Sequence, residues 1–410
     1  MALNYVWIAF FVISFAVALF RLIFMGDADI FGAMTKSLFE SGKTGAELAL
    51  GLTGVMAFWL GIMKIGERAG MIARFARAVN PLFTRLFPGI PQGHPAMGSV
   101  VMNFSANALG LDNAATPLGL KAMNELQELN PKKDTATDAQ IMFLVLNTAG
   151  ITMIPTAVMA MRLTMGAANP ADIFIPTMIG TFISFITGMI VVSLFQRINL
   201  FRPAIIAFVL LVGGMMAILF YWVRNMPPEQ VGVSVATLGG IVIFAVITLF
   251  VVAGLKQKIN AYDAFIDGAK EGFTTAVMII PYLVAILVGI GVFRATGCLD
   301  FINNGIATAV AWMGLNTDFV PALPVGIMKT FSGGGARGIM VDLMKTYGAD
   351  SFVGRLGCIM QGSTETTFYV LALYFGSVNI KNTRYALTCG LIADAVGIIA
   401  AIIIGYIFFH

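Results

Sequence analysis

The chain has 410 residues, 58% of them apolar and only 11% charged, with a mean hydropathy of +0.88 and a formal net charge of +4. Apolar runs of about 20 residues, the length that crosses ~30 Å of hydrocarbon, recur along almost the whole chain and leave no room for a soluble domain. The small positive excess is the loop bias of a multi-span membrane protein and requires no nucleic-acid partner.

Spans are expected at 3–24, 48–65, 140–162, 173–195, 203–223, 232–254, 274–293, 355–377 and 385–408. The first, from Val6 to Phe24, lacks a basic flank and a small-residue cleavage site, so it reads as a retained span rather than a signal peptide. Two amphipathic stretches, DIFGAMTKSLFESGKTG and YDAFIDGAKEG, precede the second and seventh spans and read as interfacial helices. The basic run from Arg68 to Arg85 alternates with Met71, Ile72, Phe75 and Leu82 and reads the same way. Residues 95–127 and 321–347 are too polar and glycine-rich to face lipid, yet too apolar for loops. They are expected to be re-entrant hairpins, which membranes accept where the backbone is buried in protein or lines a wet cavity.

The order repeats. Lys43, Gly45 and Gly70 have counterparts in Lys270, Gly272 and Gly297, each 227 residues later. Further on, HPAMG at 94–98 answers LPVG at 323–326, PLGLKAM answers ARGIMVDLM, and RLTMG at 162–166 answers LYFG at 373–376. An unpaired span at 203–223 reverses the side on which the second copy begins. The expected fold is therefore an all-α polytopic membrane protein of two inverted repeats, each with a re-entrant helical hairpin and a broken transmembrane helix. The parts are 1–200, a connecting helix in 201–230, and 231–410. Arg68, Arg74, Arg77, Arg85, Lys132, Lys133, Arg197, Arg202, Lys256 and Lys258 gather on one side, which places the N-terminus in the cytoplasm.

Four polar clusters interrupt this background: NFSANALGLDNAATP, LNTAGITMIPT, KTFSGGGARG and QGSTETT. In the last, seven consecutive polar or glycine residues lie inside an apolar stretch, and Glu365 is its only carboxylate. A carboxylate at bilayer depth costs several kcal/mol unless paired, protonated or wetted. The bland alternative is that the hydroxyls bond their own helix carbonyls. Gly150 and Pro155 break the matching first-half helix. Asp112 or Asn113 reads as an N-cap with Pro117 in the first turn, and Asn103 and Asn107 share one face of the preceding arm. Arg337 stands at the second hairpin tip, as a partner for Glu365 or Asp112 or for a substrate anion. Lys329, Lys121 and Asp394 are further embedded candidates, with Lys121 able to snorkel to the surface.

Two motif readings fail. Gly333, Gly335 and Gly338 have dinucleotide-fold spacing but lie between membrane segments with no βα pattern, and Gly42-Lys43-Thr44 lacks the first P-loop glycine, Ser37 standing there. Cys298, Cys358 and Cys389 are scattered singly and His94 and His410 stand far apart, so no redox centre, metal site or cofactor is expected.

At these clusters the chain resembles a known family. FWLGIMKIGERAG, HPAMG, NALGLDNAATPLGLKAMNELQELN, FLVLNTAGITMIPT and MRLTMG, within residues 1–200, resemble spore maturation A proteins. GAKEGFTTAVMIIPYLVAILVGIGVFRATG, LMKTYGADSFVGRLGCIMQGSTETTFYVLALYFGSVNIKNTRYAL and LIADAVGIIA, beyond residue 235, resemble spore maturation B proteins. The chain looks like a fusion of the two, members of the nucleoside-recognition or gate-domain family. That family's hairpin and broken-helix unit is similar to those of concentrative nucleoside transporters and of the membrane part of ferrous-iron transporters. QGSTETT resembles the Gln-Thr-Glu motif of the nucleoside transporters, with Gly362 and Ser363 set between Gln361 and Thr364.

The resemblance implies an inner-membrane secondary transporter of a small polar metabolite, nucleoside-like or carboxylated, coupled to H⁺ or Na⁺, with no catalytic residues. Its expected partners are that metabolite and the lipid bilayer, and a homo-oligomer is compatible with the reading. Asn103, Asn107, Asp112, Asn113 and Thr116 are expected on one wall of a midplane site. Asn147, Thr148, Thr152, Gln361, Ser363, Thr364, Glu365 and Thr366 are expected on the other, with Ser332, Gly334 and Arg337 at the second hairpin tip. Glu365, Asp112 and Asp394 are the candidates for the coupling ion. Two other classes stay open: a membrane scaffold in envelope or spore maturation, and an intramembrane enzyme acting on lipid-linked substrates.

Overall fold

The computed structural model describes the backbone of residues 2–109, 112–153 and 155–410, without the side chains of 2–4, 112–114, 223–224, 228–229, 231–232 and 236. The side chains of two site candidates, Asp112 and Asn113, thus lie outside the description. Among the described residues seven helices are long and apolar enough to cross a membrane, and the other two expected spans are present as broken helices.

The chain begins with α1 (Ala2–Met25) and the 39-residue α2 (Ile30–Arg68). Gly70, at φ +72°, turns it into the amphipathic α3 (Met71–Leu86). A helical hairpin follows, α4 (Pro95–Ala108) and α5 (Asp112–Glu128), then a broken helix, α6 (Asp138–Thr148) and α7 (Thr156–Thr164), and the long α8 (Phe174–Gln196). After α9 (Pro203–Arg224) the order returns with α10 (Pro228–Lys256) and the 35-residue α11 (Ala261–Ala295). Gly297, at φ +79°, leads into α12 (Cys298–Trp312), as its counterpart Gly70 leads into α3. The hairpin α13 (Leu323–Phe331) and α14 (Gly333–Tyr347) follows, then the broken helix α15 (Phe352–Ser363) and α16 (Thr367–Ser377), and finally α17 (Ala386–Phe409). Helices α10 to α17 thus repeat the order of α1 to α8, and α9 stands between.

One expectation is corrected. The stretches at 29–45 and 262–272 are not separate interfacial helices; each runs without interruption into the following span, as α2 and α11. No proline stands at either expected junction, and the ~1 kcal/mol cost of each glycine is offset by the packing it allows. Gly45 lies against Val284, and Gly272 against Met56 and Ala57. Early α2 therefore meets late α11, and the two run antiparallel. A Cβ at Gly272 would stand 2.5 Å from the Met56 carbonyl oxygen and 2.6 Å from Ala57 Cα, whereas one at Gly32 of α2 would meet nothing within 4 Å. Gly272→Val is expected to lower stability by about 1–3 kcal/mol through overpacking. Gly32→Ala should leave it unchanged or raised by up to ~1 kcal/mol, both read by thermal unfolding in detergent.

Helices α8 and α17 repeat this relation. Gly188 lies against Ala393, Gly180 against Ile404, and Ser184 Oγ donates to the Ala393 carbonyl at 3.2 Å. One apolar core gathers mainly α2, α7, α11, α13–α15 and α17, and a second gathers α3–α6, α8 and α16.

The ends of the broken helices are held by clasps that cross between repeats. In the last turn of α7, Arg162 is fully buried; it donates to the Ala349 carbonyl at 2.6 Å and to Asp350 at 3.0 Å. It also lies 2.8 Å from Asp172 Oδ1, a contact of charge rather than an aligned hydrogen bond. Arg355 Nε donates to Asp172 at 2.7 Å, and Asp350 Oδ2 accepts from the Ala168 N–H at 2.8 Å. Burial raises the Asp172 carboxyl above its ordinary pKa, with Arg162 and Arg355 pulling it back in part. At the other end of the same broken helix, the turn before α6 binds the turn before α17. Ala136 N–H donates to the Asn382 carbonyl at 3.0 Å, Lys381 and Asn382 N–H both to the Asp134 carbonyl at 2.9 Å, and Arg384 pairs with Asp138 at 2.8 Å. Each repeat is closed by the other.

Candidate functional site

Both broken helices start from a cap. Thr137 accepts from the Gln140 N–H, with Gln140 reaching back to the Thr137 N–H at 2.9 Å, and Ser351 accepts from the Gly354 N–H at 3.0 Å. They fail where the sequence withdraws support: α6 stops at Thr148 ahead of Gly150 and Pro155, and α15 stops at Ser363. The two breaks meet. Glu365 N–H donates to the Thr148 carbonyl at 2.8 Å, so a backbone group freed in one repeat satisfies a group freed in the other.

Each hairpin tip docks on the break of its own repeat. In the first, Met153 N–H donates to the Ala108 carbonyl at 3.1 Å and Asn107 donates to Asn147 Oδ1 at 2.9 Å. In the second, Gln361 Nε2 lies 3.4 Å from the Gly333 carbonyl, and Lys329 pairs with Glu365 at 3.5 Å. Lys329 is buried, whereas the Glu365 side chain is 50% exposed and so reaches toward solvent-accessible space. On α17, Asp394 is 2% exposed; its Oδ2 accepts from Thr367 Oγ1 at 2.6 Å and its Oδ1 has no partner. Thr148 Oγ1, Thr177 Oγ1 and Gln361 Oε1 are likewise buried without partners. Buried polar atoms are satisfied in the great majority of cases, so several orphans at one crossing mark a place for a ligand, ion or water.

Most of the predicted site residues converge here. Thr148, Gln361, Ser363, Thr364, Glu365 and Thr366 form the crossing, with Thr364 against Gly397, Ser363 against Gly180 and Thr366 against Gly333. Asn107 and Asn147 lie beside it, and Thr152 is half-buried within the first break. Ser332 caps α14 by accepting from the Gly335 N–H at 3.0 Å, and Gly334 lies next to Tyr282. Asn103 donates to the Ala115 carbonyl at 2.8 Å, tying the arms of the first hairpin together, and lines a small pocket with Asn107 and Asn147. Among the described residues Arg337 makes no ion pair, and Lys329 takes the place expected for it beside Glu365. Lys121 sits outside the site, exposed and 3.9 Å from Glu125.

Thr116 lines a cavity of about 1080 Å³ that reaches from the first hairpin to α2 and α11. At its far side Lys64 lies 3.0 Å from Glu271 and 3.1 Å from Glu67. Neither this cavity wall nor the Arg162 clasp is legible in the sequence, because the contacts that join the two repeats there link residues 182–207 positions apart.

The nucleoside-recognition (Gate) family matches residues 49–165 and 276–381. The two matches begin 227 residues apart, the offset that separates Gly70 from Gly297. The chain is 47% identical over 151 residues to spore maturation protein B of Bacillus subtilis (strain 168), covering 37% of this chain and 83% of that protein. It is 39% identical over 188 residues to spore maturation protein A of the same organism, covering 46% of this chain and 92% of that protein. Inner membrane protein YjiG of Escherichia coli (strain K12) is 35% identical over 85 residues, covering 20% of this chain and 54% of that protein. No solved structure matches. With its spans, its paired breaks and its two matched segments, the chain is a multi-pass membrane protein that belongs to the nucleoside-recognition Gate family.

Proposed function

We propose that the protein is a secondary transporter of a small polar metabolite in the bacterial inner membrane, with its N-terminus in the cytoplasm and its substrate site at the crossing of the broken helices. The observation that carries this is the Thr148–Glu365 backbone contact, surrounded by buried polar atoms that lack partners. Interrupted backbone persists at membrane depth only where protein or a wet cavity satisfies it, and carriers built from inverted repeats put their sites there. The antiparallel running of α2 with α11 and of α8 with α17 supports an inverted relation between the repeats. So do the clasps: the exit of the second hairpin meets the end of α7, whereas the exit of the first hairpin, which opens α6, meets the turn before α17.

Asp394 takes the coupling H⁺ or Na⁺, because it is the buried carboxylate beside the crossing that keeps an open oxygen; Glu365 already has Lys329. The 1080 Å³ cavity is the approach to the first hairpin tip. The site residues named above from both repeats line the substrate, and the chain acts as a carrier rather than an enzyme. Asp112 and Asn113 belong to the same proposal through their place at the start of α5. The partners are the substrate and the bilayer, and a homo-oligomer is compatible with the reading.

The test is uptake into proteoliposomes under an imposed proton or sodium gradient, across nucleosides, amino acids and carboxylates. Each compound is also screened for thermal stabilisation of the purified protein. A compound that both stabilises the protein and accumulates with a gradient is the expected result. Stabilisation by none of them favours a scaffold, and ligands that bind but never cross the membrane sink the transport reading.

A further inference from the structure

Resting on the transporter reading, we infer that the second hairpin tip is an anion subsite, and that the substrate carries a carboxylate or phosphate with an O–H or N–H donor beside it. Helix α14 begins with Gly333, Gly334 and Gly335, and Ser332 Oγ is committed to the Gly335 N–H. The first N–H groups of a helix have no intrahelical partner and stand at its positive end, which suits an oxyanion. Three glycines in a row place no side chain of their own over them, and the Thr366 hydroxyl stands beside Gly333. Lys329 Nζ stands 3.9 Å from where a Gly333 Cβ would be, on a residue only 4% exposed, so its charge is held at this helix end.

The second observation is Gln361. It is 3% exposed and lies at the same tip, with Nε2 directed to the Gly333 carbonyl and Oε1 without a partner. Turning the amide over would set Oε1 against that carbonyl, so the present orientation stands and Oε1 requires a donor. A ligand with a charged oxygen group and an adjacent hydroxyl or amine satisfies both ends: the oxyanion takes Lys329 and the α14 N–H groups, and the donor takes Gln361. Hydroxy acids, amino acids and singly protonated phosphate esters have this form, whereas an uncharged nucleoside supplies the donors but not the charge. Glu365, which now balances Lys329 from the solvent-accessible side, is the group the incoming anion displaces.

Thermal stabilisation of the purified full chain tests this with matched probes. The anionic arm is L-malate, glycolate, 3-phosphoglycerate and inorganic phosphate; the uncharged arm is malamide, glycolamide and uridine. At least one anion is expected to stabilise the protein where its uncharged counterpart does not, and the carboxylate and phosphate probes separate the two chemistries. Lys329→Gln should weaken that anion about 10- to 100-fold, the loss of a charge-assisted contact. Glu365→Gln should act in the opposite direction and tighten it several-fold, because Lys329 is released from its pair. That opposite sign keeps the test informative even where Lys329→Gln folds poorly. Anion affinity unchanged in Lys329→Gln, or weakened equally in Glu365→Gln, overturns the subsite. Stabilisation by uridine but by no anion overturns it while leaving the transporter reading intact; stabilisation by no probe overturns the subsite, and flux in the uptake screen then decides the transporter reading separately.

Discussion

Arg162→Ala is expected to lower the stability of the protein by about 3–5 kcal/mol, the cost of breaking a buried ion pair by removing one partner. Arg162 is fully enclosed, and its loss would leave the Asp172 carboxylate, 2% exposed, with Arg355 as its remaining counter-charge. The Ala349 carbonyl and Asp350 would lose donors at the same time. The other clasp provides an internal comparison. The side chains of Arg384 and Asp138 are 38% and 55% exposed, and exposed pairs contribute about 0–1 kcal/mol and weaken with salt. Arg384→Ala should therefore cost no more than ~1 kcal/mol, and less at high ionic strength. Thermal unfolding of both variants in detergent decides the matter: equal losses would show that burial does not set the strength of the clasps.

The second large effect is on coupling. Asp394→Asn keeps the shape of the side chain and an oxygen for Thr367 but removes the titratable carboxyl from a position that is 2% exposed. A coupling free energy between two sites commonly corresponds to a change of about 5- to 150-fold in affinity. The variant is expected to bind substrate with the affinity of the cation-free protein, so that factor disappears and uptake no longer responds to a proton or sodium gradient. Counterflow, which needs no gradient, should persist. Wild-type gradient dependence in Asp394→Asn would remove Asp394 from the coupling role and return the question to Glu365 and Asp112.

Local chemistry made much of this architecture legible. Helix breaks need glycine, proline or a run of small polar residues, and Gly150, Pro155 and QGSTETT announced both of them. The left-handed turns at Gly70 and Gly297 need glycine, so the repeat left a trace there even where side chains had diverged. The amphipathic stretches misled because polarity at 29–45 and 262–272 signals contact with water or with a partner helix, not a chain break. Pairing was harder to read. Lys329 and Glu365 were each visible as charges in apolar surroundings, but their contact depends on how a hairpin docks on a broken helix. The Arg162 clasp has no local signature because Asp350 lies 188 positions away. Such contacts are set by topology, on which hydropathy periodicity is silent.

The crossed clasps also impose an order of assembly. When Arg162 leaves the ribosome, Asp350 does not yet exist; at synthesis rates of about 5–20 residues per second it follows some 10–40 s later. During that interval Asp172 is the only one of its carboxylate partners yet made, and the α6–α7 break has no Glu365 N–H to receive its Thr148 carbonyl. The first repeat can therefore insert but cannot lock. Its final geometry waits for the second repeat, so the crossing is completed only after both halves are in the bilayer.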